Sequence, residues 1–252
     1  MIQVWRTVDE WKHRRRALDG KSVGFVPTMG ALHAGHGSLV ERCRRENEVV
    51  VVSIFVNPTQ FNDPADLQRY PRTLENDLAL IESLGADEVI MPGPADLYPS
   101  GYRFRIESEA DTKLMEGAHR PGFLQGVMTV VLKLLNLVRA DRAYFGEKDF
   151  QQLQLVTDMA REFFVPTQII PCATVREESG LALSSRNMLL SPEGKRQAAG
   201  LFRALKAAST PSEARALLEA QGFVVDYVED HAGRRFAAAF LEGVRLIDNT
   251  AI

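Results

Sequence analysis

The sequence predicts an α/β protein: a parallel sheet with helices on both faces, followed by a smaller α+β domain. Three observations carry that expectation. The first two-thirds of the 252 residues alternates strand-like runs with amphipathic stretches, the rhythm that yields parallel sheets. Residues 49–56 form a continuous β-branched and aromatic run, the composition of a strand buried on both faces. From about Thr174 the character changes to a Ser-rich turn, Ala- and Leu-rich helices and three short strand-like segments. The expected division is therefore 1–173 for the sheet domain and 174–252 for a small domain closing over it.

Residues 22–27 are a mostly apolar strand ending in a turn rich in Gly and His, and 37–46 a helix with Leu39, Val40 and Cys43 inward. After the 49–56 strand comes an amphipathic helix over 73–84, stopped by Gly85, and a short strand over 88–91. Residues 127–138 read as a core helix, 143–145 as a strand, 150–163 as a helix opening after Asp149, and 165–172 as a strand. The tail reads as helices over 191–208 and 211–221 and strands over 224–228, 236–240 and 244–247. In parallel sheets, ligands bind beyond the carboxyl ends of the strands.

Composition narrows the function. With 45% hydrophobic and 25% charged residues the chain reads as ordinary globular protein. A net charge of −3 argues against nucleic-acid binding, and the basic run from Lys12 to Arg16 reads as a solvated helix face. Cys43 and Cys172 have no metal-ligand spacing and fit a reducing compartment. The first ten residues mix charged and apolar types unlike a signal peptide, and the apolar runs are too short for a membrane span. A cytoplasmic protein with no nucleic-acid or membrane partner is expected.

Four polar clusters follow strands or fall at the domain junction. His33 and His36 bracket Gly35 between a strand and a helix. A helix N-terminus receives phosphate, Gly35 lets the backbone approach it, and imidazoles donate to its oxygens. The bland alternative is two incidental histidines in a tight turn. Leu183, Ser184, Ser185 and Arg186 offer hydroxyls and a guanidinium to a phosphate chain; taken alone they are a serine-rich loop before a helix capped by Ser191 with Pro192 at its first position. Gly146, Glu147, Lys148 and Asp149 combine a phosphate-neutralising lysine with an acid suited to ribose or to plain helix capping. Asn57 and Gln60 are suited to reading hydroxyl and carboxylate groups, or are an Asn-Pro turn and a surface glutamine. Their shared placement favours one cleft.

Together these blocks resemble the pantothenate synthetase family. The resemblance is carried by Phe25 through His36, Val52 through Phe61, Tyr70-Pro71-Arg72-Thr73, Phe145 through Leu153, Gly180 through Asn187, and Arg245-Leu246-Ile247-Asp248-Asn249. It implies a Rossmann-like nucleotidyltransferase domain of the His-x-Gly-His type, a mobile C-terminal domain and a homodimer. It also implies an ATP- and Mg²⁺-dependent ligase of the coenzyme A pathway, joining pantoate to β-alanine through pantoyl adenylate with release of AMP and pyrophosphate. By position, Met29, Gly30, Ala31, Leu32, His33, Ala34, Gly35 and His36 line the ATP site. The resemblance puts Gly146 to Asp149 around ribose and phosphate, Val175 on adenine, and Leu183 to Arg186 on the phosphate tail. It implies a catalytic set of His33, His36, Lys148, Ser184, Ser185 and Arg186, while Gln60 and Gln152 hold pantoate with Asn57 close by. Asp77 is a candidate metal ligand.

Two departures stand out. The family usually reads Arg-Pro-x-His-Phe before its core helix, whereas this chain has Phe123 where that histidine would stand. Between Tyr227 and Arg245 it also has few residues where the family commonly carries a longer strand-loop-strand. On the residues alone, a nucleotidyltransferase for another acid and a silent nucleotide-binding protein remain alternatives.

Overall fold

The computed structural model describes residues 2–252, which form two compact units. Residues 2–146 with Gln151–Cys172 make the larger, and Glu147–Phe150 with Ala173–Ile252 the smaller. A four-residue stretch near the middle of the chain thus clusters with the C-terminal part.

The larger unit runs β1 (Gln3–Trp5), α1 (Val8–Arg16), β2 (Val23–Thr28), α2 (Ala34–Glu46), β3 (Val49–Ile54), α3 (Pro64–Arg69), α4 (Leu74–Ser83), β4 (Glu88–Ile90), α5 (Pro94–Leu97), α6 (Met115–His119), α7 (Phe123–Val138), β5 (Arg142–Gly146), α8 (Phe150–Glu162) and β6 (Gln168–Cys172). The strands form one sheet in the order β1-β4-β3-β2-β5-β6, every pairing parallel. Val50, Val51 and Val52 are fully buried, as a two-sided covering of β3 requires. Helix α7 buries eleven of its sixteen residues, so its length is set by burial rather than by one amphipathic stripe.

From β2 the chain steps to β3 and β4 on one side and returns to β5 on the other. This reversal between β2 and β5 is the switch point at which open parallel sheets bind ligands. It places Met29 and Gly146 at its rim, Met29 directly after β2 and Gly146 as the last residue of β5.

Two expectations are corrected. The sequence pattern predicts neither strand β1 nor most of α1, and the basic run is not simply a solvated face. Arg15 is buried and donates to the carbonyls of Val138 (2.8 Å) and Arg139 (2.9 Å), closing the C-terminal end of α7. Arg14 pairs with the buried Glu88 carboxylate, which also accepts from Trp5 Nε1 at 2.7 Å.

The smaller unit contains α9 (Pro192–Ala198), α10 (Gly200–Ala207), α11 (Pro211–Ala220) and the antiparallel meander β7 (Val224–His231), β8 (Arg234–Leu241), β9 (Val244–Ala251). Ser191 caps α9 by accepting from Gly194 N, with Pro192 opening the helix. The single helix expected over 191–208 divides at Ala199, next to Gly200, where an added Cβ would lie 2.1 Å from Gln221 Oε1. The strands are longer than expected because their turns are minimal. Ala232-Gly233 and Glu242-Gly243 have positive φ at both residues, the geometry that continues strand twist through a two-residue turn. Leu201, Leu205, Leu218, Phe223, Ala239 and Leu246 fill the core between helices and meander. No helix among the described residues is long and apolar enough to cross a membrane.

Candidate active site

The turn after β2 is held by its own side chains and by one buried acid. Gly30 has φ +80° and Ala31 φ +52°, so two successive residues are left-handed. Asp77, 2% exposed at the start of α4, accepts from Ala31 N at 2.9 Å through one oxygen and from Leu32 N at 2.8 Å through the other. Thr73 Oγ1 adds a third bond at 3.0 Å. A carboxylate holding two backbone donors contributes about 1.5–3 kcal/mol per bond, enough to offset the cost of a left-handed alanine, about 1–2 kcal/mol.

His33 and His36 then cap α2 reciprocally. Gly35 N donates to His33 Nδ1 at 3.1 Å, and His33 N donates to His36 Nδ1 at 3.4 Å; the ring centroids are 4.1 Å apart. An Nδ1 that accepts from a backbone N–H carries no proton, so in the neutral ring the proton is on Nε2. Each imidazole therefore has a defined Nε2–H donor, at a helix N-terminus whose dipole favours negative charge.

Beside this turn, in the segment after β3, Asn57 has its amide spent inside the protein. Its Oδ1 accepts from Tyr98 OH at 2.8 Å and Thr59 Oγ1 at 3.0 Å, while Nδ2 donates to Gln60 Oε1 at 3.0 Å and Gly126 O at 3.2 Å. Burial raises the Tyr98 pKa, keeping the phenol a neutral donor. Gln60 in turn donates through Nε2 to Met29 Sδ at 2.9 Å. One N–H and one lone pair of the buried Gln60 amide are then what it can offer a ligand. The 3₁₀ turn Pro58–Gln60 lies against α7 at Gly126, where an added Cβ would stand 2.2 Å from Thr59 O. Phe123 lies under Arg120, whose guanidinium carbon is 3.7 Å from the ring centroid. Arg120 also donates to Asn62 Oδ1 at 3.2 Å and pairs with Glu116 at 3.3 Å.

On α8, Gln151 is buried and committed, accepting from Glu116 N and donating to the carbonyls of Asp111 and Leu114. Gln152 is half-buried, and its amide has no protein hydrogen-bond partner among the described residues.

The remaining candidates lie in the smaller unit, apart from Gly146 at the end of β5. Residues Glu147–Asp149 form a 3₁₀ turn in which Lys148 Nζ lies 3.7 Å from Asp149 Oδ2. Leu183 N donates to Val175 O at 3.0 Å, tying the adenine candidate to the start of the serine segment. Ser184 caps the 3₁₀ turn Ser185–Leu189 by accepting from Arg186 N at 3.3 Å, and Ser185 is buried. Both 3₁₀ turns pack on β9. Arg176 fixes the Val175–Leu183 loop: it grips Asp248 through two nitrogens, at 2.6 and 2.8 Å, and covers the Phe202 ring at 3.6 Å.

The structure thus groups Met29–His36 with Gln60 and Asn57 in one unit, and Lys148 with Ser184–Arg186 in the other. Sequence reading missed Tyr98, the orientation of Gln60 by Asn57, and the Asp77 anchor. Only Gly126 left a signal, as a glycine inside an apolar helix.

A left-handed turn at the switch point of a parallel sheet, opening onto a helix N-terminus, defines the class: an open α/β protein whose ligand site lies at that point. A family model described as pantoate-beta-alanine ligase matches residues 2–251. A pantothenate synthetase of Bdellovibrio bacteriovorus is 52% identical over the full length of both chains. One of Legionella pneumophila is 47% identical, covering 98% of this chain and 99% of the relative. The crystal structure of pantoate-beta-alanine ligase from Francisella tularensis, complexed with beta-gamma ATP and beta-alanine, superposes with a TM-score of 0.95 at 40% identity, covering 100% of this chain and 98% of that one. Pantothenate synthetase from Thermus thermophilus gives 0.89 at 44% identity, covering 99% of each chain. This chain belongs to the pantoate–β-alanine ligase family.

Proposed function

We infer that this chain is an ATP-dependent ligase that condenses (R)-pantoate with β-alanine to pantothenate. The observation that carries the reading is the reciprocal histidine cap on the turn after β2, in a member of the family.

The pantoate carboxylate attacks the α-phosphorus of ATP, the bond to the bridging oxygen breaks, and pyrophosphate leaves with the electron pair. The amine of β-alanine then attacks the acyl carbon of pantoyl adenylate, AMP departs, and the amine loses a proton to complete the amide. The first step moves negative charge onto oxygens facing His33 and His36, and fixed donors stabilise it without reorganisation. The pyrophosphate leaves already ionised, so electrostatic stabilisation describes the histidines better than proton donation. Gln60, oriented by Asn57 and Met29, and Gln152 hold pantoate; Lys148, Ser184, Ser185 and Arg186 take the phosphate chain; Val175 and Leu183 meet adenine through their backbones.

Mg²⁺ accompanies ATP in this reading. Among the described residues no group of three or more His, Cys, Asp and Glu could hold a metal, and Asp77 spends both oxygens on the Ala31–Leu32 turn. The side chains present do not form a dedicated cage, which agrees with an ion carried on phosphate oxygens and water. A homodimer in the cytoplasm is the expected setting, as the family resemblance implies.

The test is incubation with ATP, Mg²⁺, pantoate and β-alanine, omitting each in turn. AMP should require pantoate, and amide should require all four components. AMP released without pantoate would overturn the assignment, and activation of another hydroxy acid in preference to pantoate would change the substrate.

A further inference from the structure

The excursion Glu147–Phe150 leaves the sheet at Gly146 and rejoins the larger unit at Gln151, yet it is pinned to the C-terminal meander. The pin is Asn249 on β9, which is 4% exposed. Its Nδ2 donates to two successive carbonyls, Glu147 O and Lys148 O, each at 2.9 Å. Its Oδ1 accepts from Arg234 Nε at 3.0 Å and Nη2 at 2.6 Å. All four hydrogen-bonding positions of the amide are filled. The same Arg234 guanidinium lies 4.1 Å from the centroid of the Phe150 ring, which also meets Phe236 with centroids 6.2 Å apart. The excursion is held at two carbonyls and one ring.

We propose that Asn249 is a positioning residue for the ATP step: by fixing the carbonyls of Glu147 and Lys148 it sets the direction in which Lys148 leaves the backbone. This rests on the reading of Lys148 as a phosphate contact. Two adjacent carbonyls bound to one rigid amide leave the peptide planes around Lys148 little freedom, so its Cα–Cβ bond is aimed before ATP arrives. An ammonium on four methylenes has many rotamers, and fixing its root removes part of the ordering cost at binding. Because the serine turn also packs on β9, one strand carries both phosphate-facing segments of this unit.

The variant Asn249→Asp removes both positioning bonds, and the split between substrates separates positioning from a general loss of fold. It keeps the volume and the Arg234 contact, now as an ion pair, but aims an oxygen at two carbonyls. The expected result is a roughly 10- to 100-fold fall in kcat/KM for ATP, the scale of about an ångström of misplacement. KM for pantoate and β-alanine should stay unchanged, while the melting temperature falls because two part-buried carbonyls lose their donors, with the variant still folded at the assay temperature. Asn249→Ala should repeat the effect, and in a Lys148→Ala background neither substitution should cost more than about twofold. Unchanged ATP kinetics in Asn249→Asp would overturn the proposal, as would losses that multiply with Lys148→Ala or that fall equally on all three substrates. If Lys148→Ala alone leaves ATP kinetics untouched, the phosphate role of Lys148 fails instead, and the proposal falls with it.

Discussion

The turn from Met29 to His36 and the excursion from Glu147 to Phe150 both follow a strand of one parallel sheet, and both are proposed to face phosphate. They are held in opposite ways. The first is nearly self-sufficient: its histidines cap the helix they begin, and its left-handed residues are tied to Asp77, within fifty residues along the chain. The second has little of its own. Its backbone is fixed by an asparagine and its ring by an arginine, both from the C-terminal meander. A locally held segment keeps its shape whatever the rest of the molecule does. A remotely held one is only as ordered as the unit that holds it.

The largest effect should come from the self-held turn. His36→Ala should lower the rate of pyrophosphate release by roughly 10²–10³-fold, the usual loss when one fixed donor to developing charge is removed. Stability should change by only about 1 kcal/mol, the worth of a cap. Single-turnover pyrophosphate release beside thermal unfolding checks both, and equal loss of rate and fold would make the histidine structural. Next is Asp77→Ala, which strands the N–H groups of Ala31 and Leu32; a loss of roughly 2–4 kcal/mol is expected by urea titration, with a higher KM for ATP. A variant that is fully stable but has lost metal-dependent ATP binding would instead return Asp77 to the metal.

A third effect separates the two units by pH. Burial pushes the Cys43 thiol up to about 12 and raises the phenols of Tyr98 and Tyr144, all in the larger unit. Between the ordinary thiol pKa and that raised value the folded chain binds more protons than the unfolded one. Stability must therefore fall as pH rises above about 9, by roughly 1 kcal/mol at pH 10 from Cys43 alone. Trp5 and Trp11 both lie in this unit, so their fluorescence during urea titration reads it directly. Cys43→Ala should flatten the slope against pH, whatever it does to absolute stability.

Local causes were legible in the sequence and distant ones were not. Strands β2 to β6 lie within about three residues of their expected ends, because burial on two faces writes apolar runs into contiguous sequence. Placing the His-x-Gly-His turn at a strand end needed only its neighbours. By contrast β1 is three residues on a sheet edge, too short to show a period. The roles of Arg15 at the end of α7, of Tyr98 on Asn57 and of Asn249 on Glu147 depend on partners 41 to 124 positions away. Asp77 shows the limit differently. An acid near a phosphate site looks like a metal ligand until its hydrogen bonds are known.

The smallest effect tests how self-sufficient the first turn is. Ala31 holds φ +52° and is 1% exposed. Replacing it by glycine relieves about 1–2 kcal/mol of left-handed strain, but loses roughly 0.8 kcal/mol of methyl burial. It also adds about 0.5–1 kcal/mol of unfolded-chain entropy. These three effects nearly cancel, so Ala31→Gly alone should change stability by less than about 1 kcal/mol. In the Asp77→Ala background the balance shifts, because the alanine can relax out of the left-handed region and glycine then has less strain to relieve while its two losses remain. The double variant should be less stable than the sum of the single changes by roughly 0.5–1 kcal/mol, a coupling that a double-mutant cycle resolves. Strict additivity would mean that Asp77 does not maintain the left-handed backbone. The turn would then owe its shape to packing from neighbouring elements, and the contrast with the remotely held excursion would narrow to one of distance along the chain.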